Sequence, residues 1–185
     1  MQTQHARHLG QATATPAATL DDATLDFAQR VFHYARMGAT QELQPLLEMG
    51  LPPNLRNHKG DSLLMLASYH GHLETAGVLL EHGADAEMRN DHGQTPLAGA
   101  AYKGDCAMAH LLLEHGANVE GVSPDGKTAL MLAAMFNRSE IVHLLLAHGA
   151  DLQARAANGM TALDAAKAMG AADTPALLVS ASSSA

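Results

Sequence analysis

Three glycine columns fix what this chain can fold into. Gly60, Gly93, Gly126 and Gly159 fall 33 residues apart, and so do Gly50, Gly83, Gly116 and Gly149. A third column, Gly38, Gly71 and Gly104, continues through Asn137 to Gly170. The intervening stretches repeat as well. LLEHGADAEMRN at 79–90 returns as LLEHGANVEGVS at 112–123 and as LLAHGADLQARA at 145–156. A fixed period of this length describes an array of one supersecondary unit stacked on copies of itself.

The unit is clearest at 91–123. Asp91-His92-Gly93 predicts a tight hairpin tip, because glycine accepts the positive φ that such a turn needs. Thr95 can cap a helix with its hydroxyl, and Pro96 then takes the first helical position, where its missing N–H is harmless. Leu97, Ala100 and Ala101 place apolar groups on one helical face. Gly104 ends that helix. A second one, DCAMAHLLLEH, is closed by Gly116 as a left-handed C-cap. No single unit buries both of its helices. Stacked units do, through Leu46/Leu47, Leu79/Leu80, Leu112/Leu113 and Leu145/Leu146, and through an inner column of Ala67, Ala100, Ala133 and Ala166. Composition fits this arrangement. The chain is 47% hydrophobic, yet it has no Trp, three Phe and three Tyr, so its core depends on small faces brought close together.

Thr95-Pro96-Leu97, Ala100-Ala101, Gly104, Leu112-Leu113 and Gly116-Ala117 resemble the ankyrin repeat, and the likeness extends over 24–180. It is similar in particular to the small stand-alone ankyrin repeat proteins of bacterial type. The resemblance implies an all-α, right-handed ankyrin-repeat solenoid, with helix-turn-helix units joined by β-hairpin-like turns. The units expected are an N-cap unit at 24–57, full repeats at 58–90, 91–123 and 124–156, and a C-cap unit at 157–180. Residues 1–23 are expected to be disordered and 181–185 to form a flexible tail.

Departures from the family pattern carry expectations of their own. The His that usually follows Thr-Pro-Leu is replaced by Met65, Ala98, Met131 and Asp164, so inner-helix stability must lean on packing. Asn137 takes a glycine place, which Asn tolerates in left-handed conformation better than most residues. Gly77 and Gly99 each weaken a helix by about 1 kcal/mol relative to Ala. In the first unit, Phe27, Val31 and Phe32 are expected to cover the stack, and Pro45 to distort its second helix mildly. In the last, Leu177, Leu178 and Val179 are expected to close it.

Charge and cysteine usage exclude several function classes. The formal net charge is −8 with no Lys/Arg cluster, so the basic footprint of a nucleic-acid binder is missing. No apolar run approaches a membrane span, and the first twenty residues lack a signal-peptide core. The single Cys106 makes no internal disulfide and suits a reducing compartment. The reading is a cytoplasmic monomer.

Catalytic and metal chemistry find little to stand on. His82, His115 and His148 recur at second-helix C-termini, where the macrodipole favours cations, and the place repeats because the unit repeats. Zinc needs about four ligands converging at about 2.0–2.3 Å, and whole repeats separate these rings. His110 stacks with His143 in the 33-residue frame, and the turn between His70 and His72 should point their rings apart. Cys106 and His110 sit at helical i, i+4 spacing, but no oxyanion site or orienting group accompanies them. No catalytic residue, metal ligand or cofactor is assigned.

What remains is surface. The resemblance implies that a partner protein is gripped by the hairpin tips and the exposed side of the inner helices, together a concave face. At the tips these places hold His58, Lys59, Asp61, Asp91, His92, Gln94, Asp125 and Lys127. On the inner helices they hold Tyr69, His70, Tyr102, Lys103, Met135 and Phe136. An aromatic and methionine strip rimmed by charge has the composition of an interface core. The expected function is a non-catalytic intracellular adaptor or regulator. A neutraliser of a toxic or enzymatic partner is the alternative, and a His-based metal-binding protein a third reading.

Overall fold

A computed structural model describes residues 22–183. Ten helices follow one another as five antiparallel pairs: α1 (Asp22–Met37) with α2 (Thr40–Glu48), α3 (Leu63–Tyr69) with α4 (Leu73–Glu81), α5 (Pro96–Lys103) with α6 (Cys106–Glu114), α7 (Ala129–Met135) with α8 (Ser139–Ala147), and α9 (Ala162–Met169) with α10 (Thr174–Ser182). The inner helices α1, α3, α5, α7 and α9 stack in one row, and α2, α4, α6 and α8 in a second. Extended pairing is confined, among the described residues, to one bridge between Arg56 and Ser62 beside the first hairpin tip.

The period is written into the backbone. Every described residue with positive φ belongs to one of the three columns, and Asn137, at φ 56°, fills its glycine place. The caps recur in the same frame. Ser62, Thr95, Thr128 and Thr161 each accept a hydrogen bond from the backbone N–H three residues on, at 3.1, 3.2, 3.3 and 3.2 Å. Where the family His is absent, the outcome depends on the substitute. Met65 and Met131 are buried in the stack. Asp164 instead completes a capping box, accepting from the Thr161 backbone N–H at 3.0 Å. The Thr161 backbone and hydroxyl donors hold its carboxyl below the usual range.

In the interior, burial follows the alanine column and the first leucine of each pair. The second leucine is buried at Leu80 but half-buried at Leu113 and Leu146, and further departures come at the ends. Ala67, Ala100, Ala133 and Ala166 are buried, as are Leu79, Leu112 and Leu145. In the first unit, however, Leu43 and Leu47 are buried while Leu46 is half-buried. No earlier repeat covers Leu46 among the described residues. Phe27 does not cover the stack either; Val31 and Ala35 do. The 16 residues of α1 span about 24 Å against about 11 Å for the seven of α3. Its first turns therefore run past their neighbour and lie exposed. At the other end Leu178 is buried, Leu177 half-buried and Val179 exposed. Residues 22–23 and 181–182 are helical; the rest of the segments expected to be disordered or flexible, Ser183 apart, lie outside the described residues.

Neighbouring repeats are stapled by side chains that also keep the frame. The Asn54 side chain accepts from the Asp85 N–H at 2.8 Å, Glu87 from Asn118 at 2.9 Å, and Glu120 from Asp151 at 2.9 Å. Arg56 donates to the Arg89 carbonyl at 3.0 Å, and Arg89 in turn to the Val122 carbonyl. Val122 interrupts the arginine column, which resumes at Arg155, whose guanidinium donates to the Gly159 carbonyl at 2.8 Å. At the inner-helix ends, the carbonyls of Arg36, Tyr69 and Tyr102 each meet a side chain of the next unit. These are His72 Nε2 at 2.9 Å, Lys103 Nζ at 2.6 Å and Arg138 Nε at 3.3 Å. Asn137 ties on the last helix, accepting from the Asp173 and Thr174 N–H groups at 2.9 and 3.1 Å.

Candidate interaction groove

Between the hairpin tips and the inner helices lies a groove of about 700 Å³. Its apolar floor comes from α3 and α5. Tyr69 and Tyr102 remain 49% and 46% exposed although each belongs to a helix whose other face is buried. They occupy equivalent places in adjacent repeats, so their rings line one side of the groove. The tips form the other side, where backbone turns are closed by side chains. The Asn57 amide oxygen accepts from the N–H groups of Lys59 and Asp61 at 2.8 and 3.0 Å, and that of Asn90 from His92 and Gln94 at 3.0 Å each. Ser123 plays this part in the next unit, accepting from the Lys127 N–H at 3.1 Å.

Eight of the fourteen expected positions come together here: Lys59, Asp61, Tyr69, His92, Gln94, Tyr102, Asp125 and Lys127. The other six stand around the groove rather than in its lining. His58 is exposed at the first tip. Asp91 pairs with Arg56 at 3.2 Å. The ammonium of Lys103 sits 4.4 Å from the Tyr69 ring centroid. The Phe136 ring stands edge-on to that of Tyr102, with centroids 4.6 Å apart. His70 packs against the Tyr69 edge at 5.4 Å, and burial, together with His72, Lys103 and Arg36, lowers its pKa. Met135 belongs to a second depression of about 200 Å³, shared with Met131, Met160 and Met169.

Several lining residues escaped the sequence reading. Asn90 and Ser123 carry a signal that could have found them, since Asn57, Asn90 and Ser123 form a 33-residue column of turn-closing side chains. Pro124 lines the far side and leaves Gly93 no room for a Cβ, which would meet its ring at 2.4 Å. The methionine depression was announced only by the ten Met of the composition.

The histidines lie differently from expectation in two places. His110 approaches His148, at 6.2 Å between centroids, and its Nδ1 lies 3.2 Å from Glu114. Equivalent positions on adjacent outer helices are thus not the ones whose rings meet. His70 and His72 do not point apart; their rings stack at 6.2 Å and 18°. His72 is drawn there by the Arg36 carbonyl. His82, His115 and His148 turn Nδ1 onto the carbonyl four residues back, at 2.8, 2.9 and 2.9 Å. No cluster of three or more His, Cys, Asp or Glu side chains gathers in metal-binding proximity among the described residues. Cys106 is half-buried, and burial, with Glu140 and Asp105, pushes its thiol pKa up.

The tandem helix pairs, their 33-residue frame and the tip-lined groove define a helical repeat protein. The family described as ankyrin repeats (3 copies) matches residues 31–122 and again 99–184. The chain belongs to the ankyrin-repeat family. A Pseudomonas aeruginosa protein whose name assigns it to the ankyrin repeats is 60% identical over 63 residues, 34% of this chain and 37% of the relative. The aligned stretch thus spans little more than a third of that relative's length. Ankyrin repeats are in general protein–protein interaction modules. No described helix is long and apolar enough to cross a membrane.

Proposed function

We propose that this protein is a non-catalytic interaction module that holds a partner protein in the groove between its hairpin tips and inner helices, as an intracellular adaptor or regulator. The observation that carries the reading is the placement of Tyr69 and Tyr102. Two of the chain's three tyrosines stand half exposed, side by side, on the floor of its larger groove. Aromatic side chains in a depression rimmed by polar groups make strong anchors for a protein partner. The leucine and alanine columns form the core of the stack, and the two rings keep about half their surface open to a partner. The Cys106 thiol, with a raised pKa, is a poor nucleophile at neutral pH. As a free thiol it also suits a reducing compartment.

Affinity capture from the native cell tests the reading. The wild-type chain should retain a partner that a Tyr69→Ala/Tyr102→Ala chain releases, while a His110→Ala/His143→Ala chain on the outer helices retains it. Loss of the partner with the outer-helix pair, and not with the tyrosines, would move the binding surface to the opposite side.

A further inference from the structure

The charges around the groove are unevenly matched. Its hairpin stretches 56–61, 89–94 and 122–127 and the helix ends beside them hold five of the chain's 11 Lys and Arg but three of its 19 Asp and Glu. All three of these carboxylates have partners within the protein. Asp91 pairs with Arg56 at 3.2 Å, and Asp125 accepts from Lys127 and Ser123. Asp61 accepts from the Asn57 and Asn90 amides at 3.2 and 3.1 Å.

Three cations have no such match. Of these, Arg89 is spent on the carbonyls of Gly93 and Val122, and the other two are ammonium groups. Lys59, exposed at the first tip, forms no ion pair among the described residues. Lys103 forms none either; its ammonium rests on a neutral carbonyl and a neutral ring, both of Tyr69. One stands on the tip side of the tyrosine floor and the other on the helix-end side. In a chain with net charge −8, two uncompensated ammonium groups bracketing an apolar floor form a local exception.

We infer that the groove takes a partner segment carrying a bulky apolar side chain flanked by carboxylates, the apolar group seated against Tyr69 and Tyr102 and the carboxylates facing Lys59 and Lys103. The inference rests on the proposed function and adds the chemistry of the partner. Apolar contact supplies most of the affinity, since aromatic anchors dominate such interfaces. The charges select among apolar segments, because like charges opposite the two lysines are rejected and opposite ones attracted. A basic segment would meet two ammonium groups and only carboxylates already held by their own donors.

A displayed library of short random peptides, panned against the full chain, tests this. Enriched peptides should carry Asp or Glu within a few residues of Phe, Tyr, Trp or Leu, and their binding should weaken as salt is raised. Tyr102→Ala should weaken them by about tenfold or more. Lys59→Glu, at an exposed position with no internal ion pair, should leave the melting temperature unchanged. On re-panning, it should turn the preference at one flank from acidic to basic. Enriched peptides that need Tyr102 but are basic or uncharged would overturn the acidic assignment and leave the groove reading intact. Peptides indifferent to Tyr102→Ala would overturn both, and the absence of any enriched motif would overturn the inference.

Discussion

At one end of the inner face, Tyr69 and Tyr102 floor a groove of about 700 Å³ rimmed by lysine, aspartate and histidine. One repeat further along, Met135 takes the next place in the same 33-residue column, and the depression there is about 200 Å³ and lined largely by methionine and alanine. Backbone hardly distinguishes the two ends. Both have the hairpin tip, the capped inner helix and the left-handed turn. What differs is what the frame leaves unspecified. Buried positions must repeat because each unit packs against its neighbour, whereas exposed positions on the inner helices make contacts, such as Lys103 on Tyr69, that the packing does not require. The staples change at the same boundary. Arg56 and Arg89 each reach a carbonyl of the following repeat, and Val122 interrupts the series. Backbone pairing joins the tips at both ends, Asp91 N–H to the Lys59 carbonyl at 3.2 Å and Ala157 N–H to the Asp125 carbonyl at 2.9 Å. The tyrosine end adds guanidinium groups that reach from one repeat to the next.

The largest expected effect concerns what the two ends share. Leu112 is fully buried on α6 between them. Leu112→Ala should cost about 2–5 kcal/mol, as large-to-small core changes do. Because each unit supports its neighbours, hydrogen exchange should quicken in the flanking units on both sides. Chemical denaturation giving a loss below about 0.5 kcal/mol would show that the leucine column does not carry the stack.

A smaller pair of changes separates the two sides of the boundary. Gly126 and Gly159 share a column and similar φ, +76° and +81°. A Cβ at Gly126 would lie 2.7 Å from the Ala157 nitrogen, whereas at Gly159 it would meet nothing within 4 Å. Alanine in left-handed conformation costs about 1–2 kcal/mol by itself. Gly159→Ala should cost that much, and Gly126→Ala clearly more, since backbone must move. Equal losses in urea melts would mean that the tip of the third repeat is free to shift away from the last unit.

The next prediction sets the column mates against each other. Tyr102→Ala should cost about 1–2 kcal/mol of partner affinity. Met135→Ala should cost much less, because its depression is smaller and carries no uncompensated charge. Titration calorimetry against the captured partner decides it. A greater loss at Met135 would make the methionine end the anchor and the tyrosines its rim.

The fold was legible because the demands that set it are local and recur. A turn that needs positive φ selects glycine at each recurrence, and Asn137 shows how narrow the licence is. Caps and buried leucines were legible on the same ground. The ends were less so. Leu46 stands where the repeats bury a leucine, and Phe27 carries the ring expected to cover the first interface. Their exposure depends on which neighbour is present and how long it is, and no column records that. Side-chain pairings across repeats were harder still. His110 meets His148 and not His143, because a long side chain reaches along the helix as well as across it. The arginine staples, and those of Asn54, Glu87 and Glu120, are visible as 33-residue columns in the loops. Of the groove, its location followed from the family frame. Which of its charges are matched does not, since Lys59 and Lys127 read alike until Asp125 is seen to take only one of them.

The smallest effects come from the two helical glycines, and they probe whether the tyrosine groove is a functional cavity or a by-product of stacking. Gly77 lies on α4 and Gly99 on α5, neither with positive φ, and a Cβ at either meets nothing within 4 Å. Alanine at each should therefore stabilise the chain by about 0.5–1 kcal/mol, by restricting the unfolded state and favouring the helix. Their consequences for binding should part. Gly99 lines the groove, so its added methyl takes volume from the space a partner side chain would fill; Gly77, on the outer row, touches no part of it. Thermal melts of both variants should rise together, while affinity for the captured partner should shift with Gly99→Ala alone. If both variants gain stability and neither alters affinity, the floor of α5 is not in contact with the partner, and the glycine there is only a weak point in a helix.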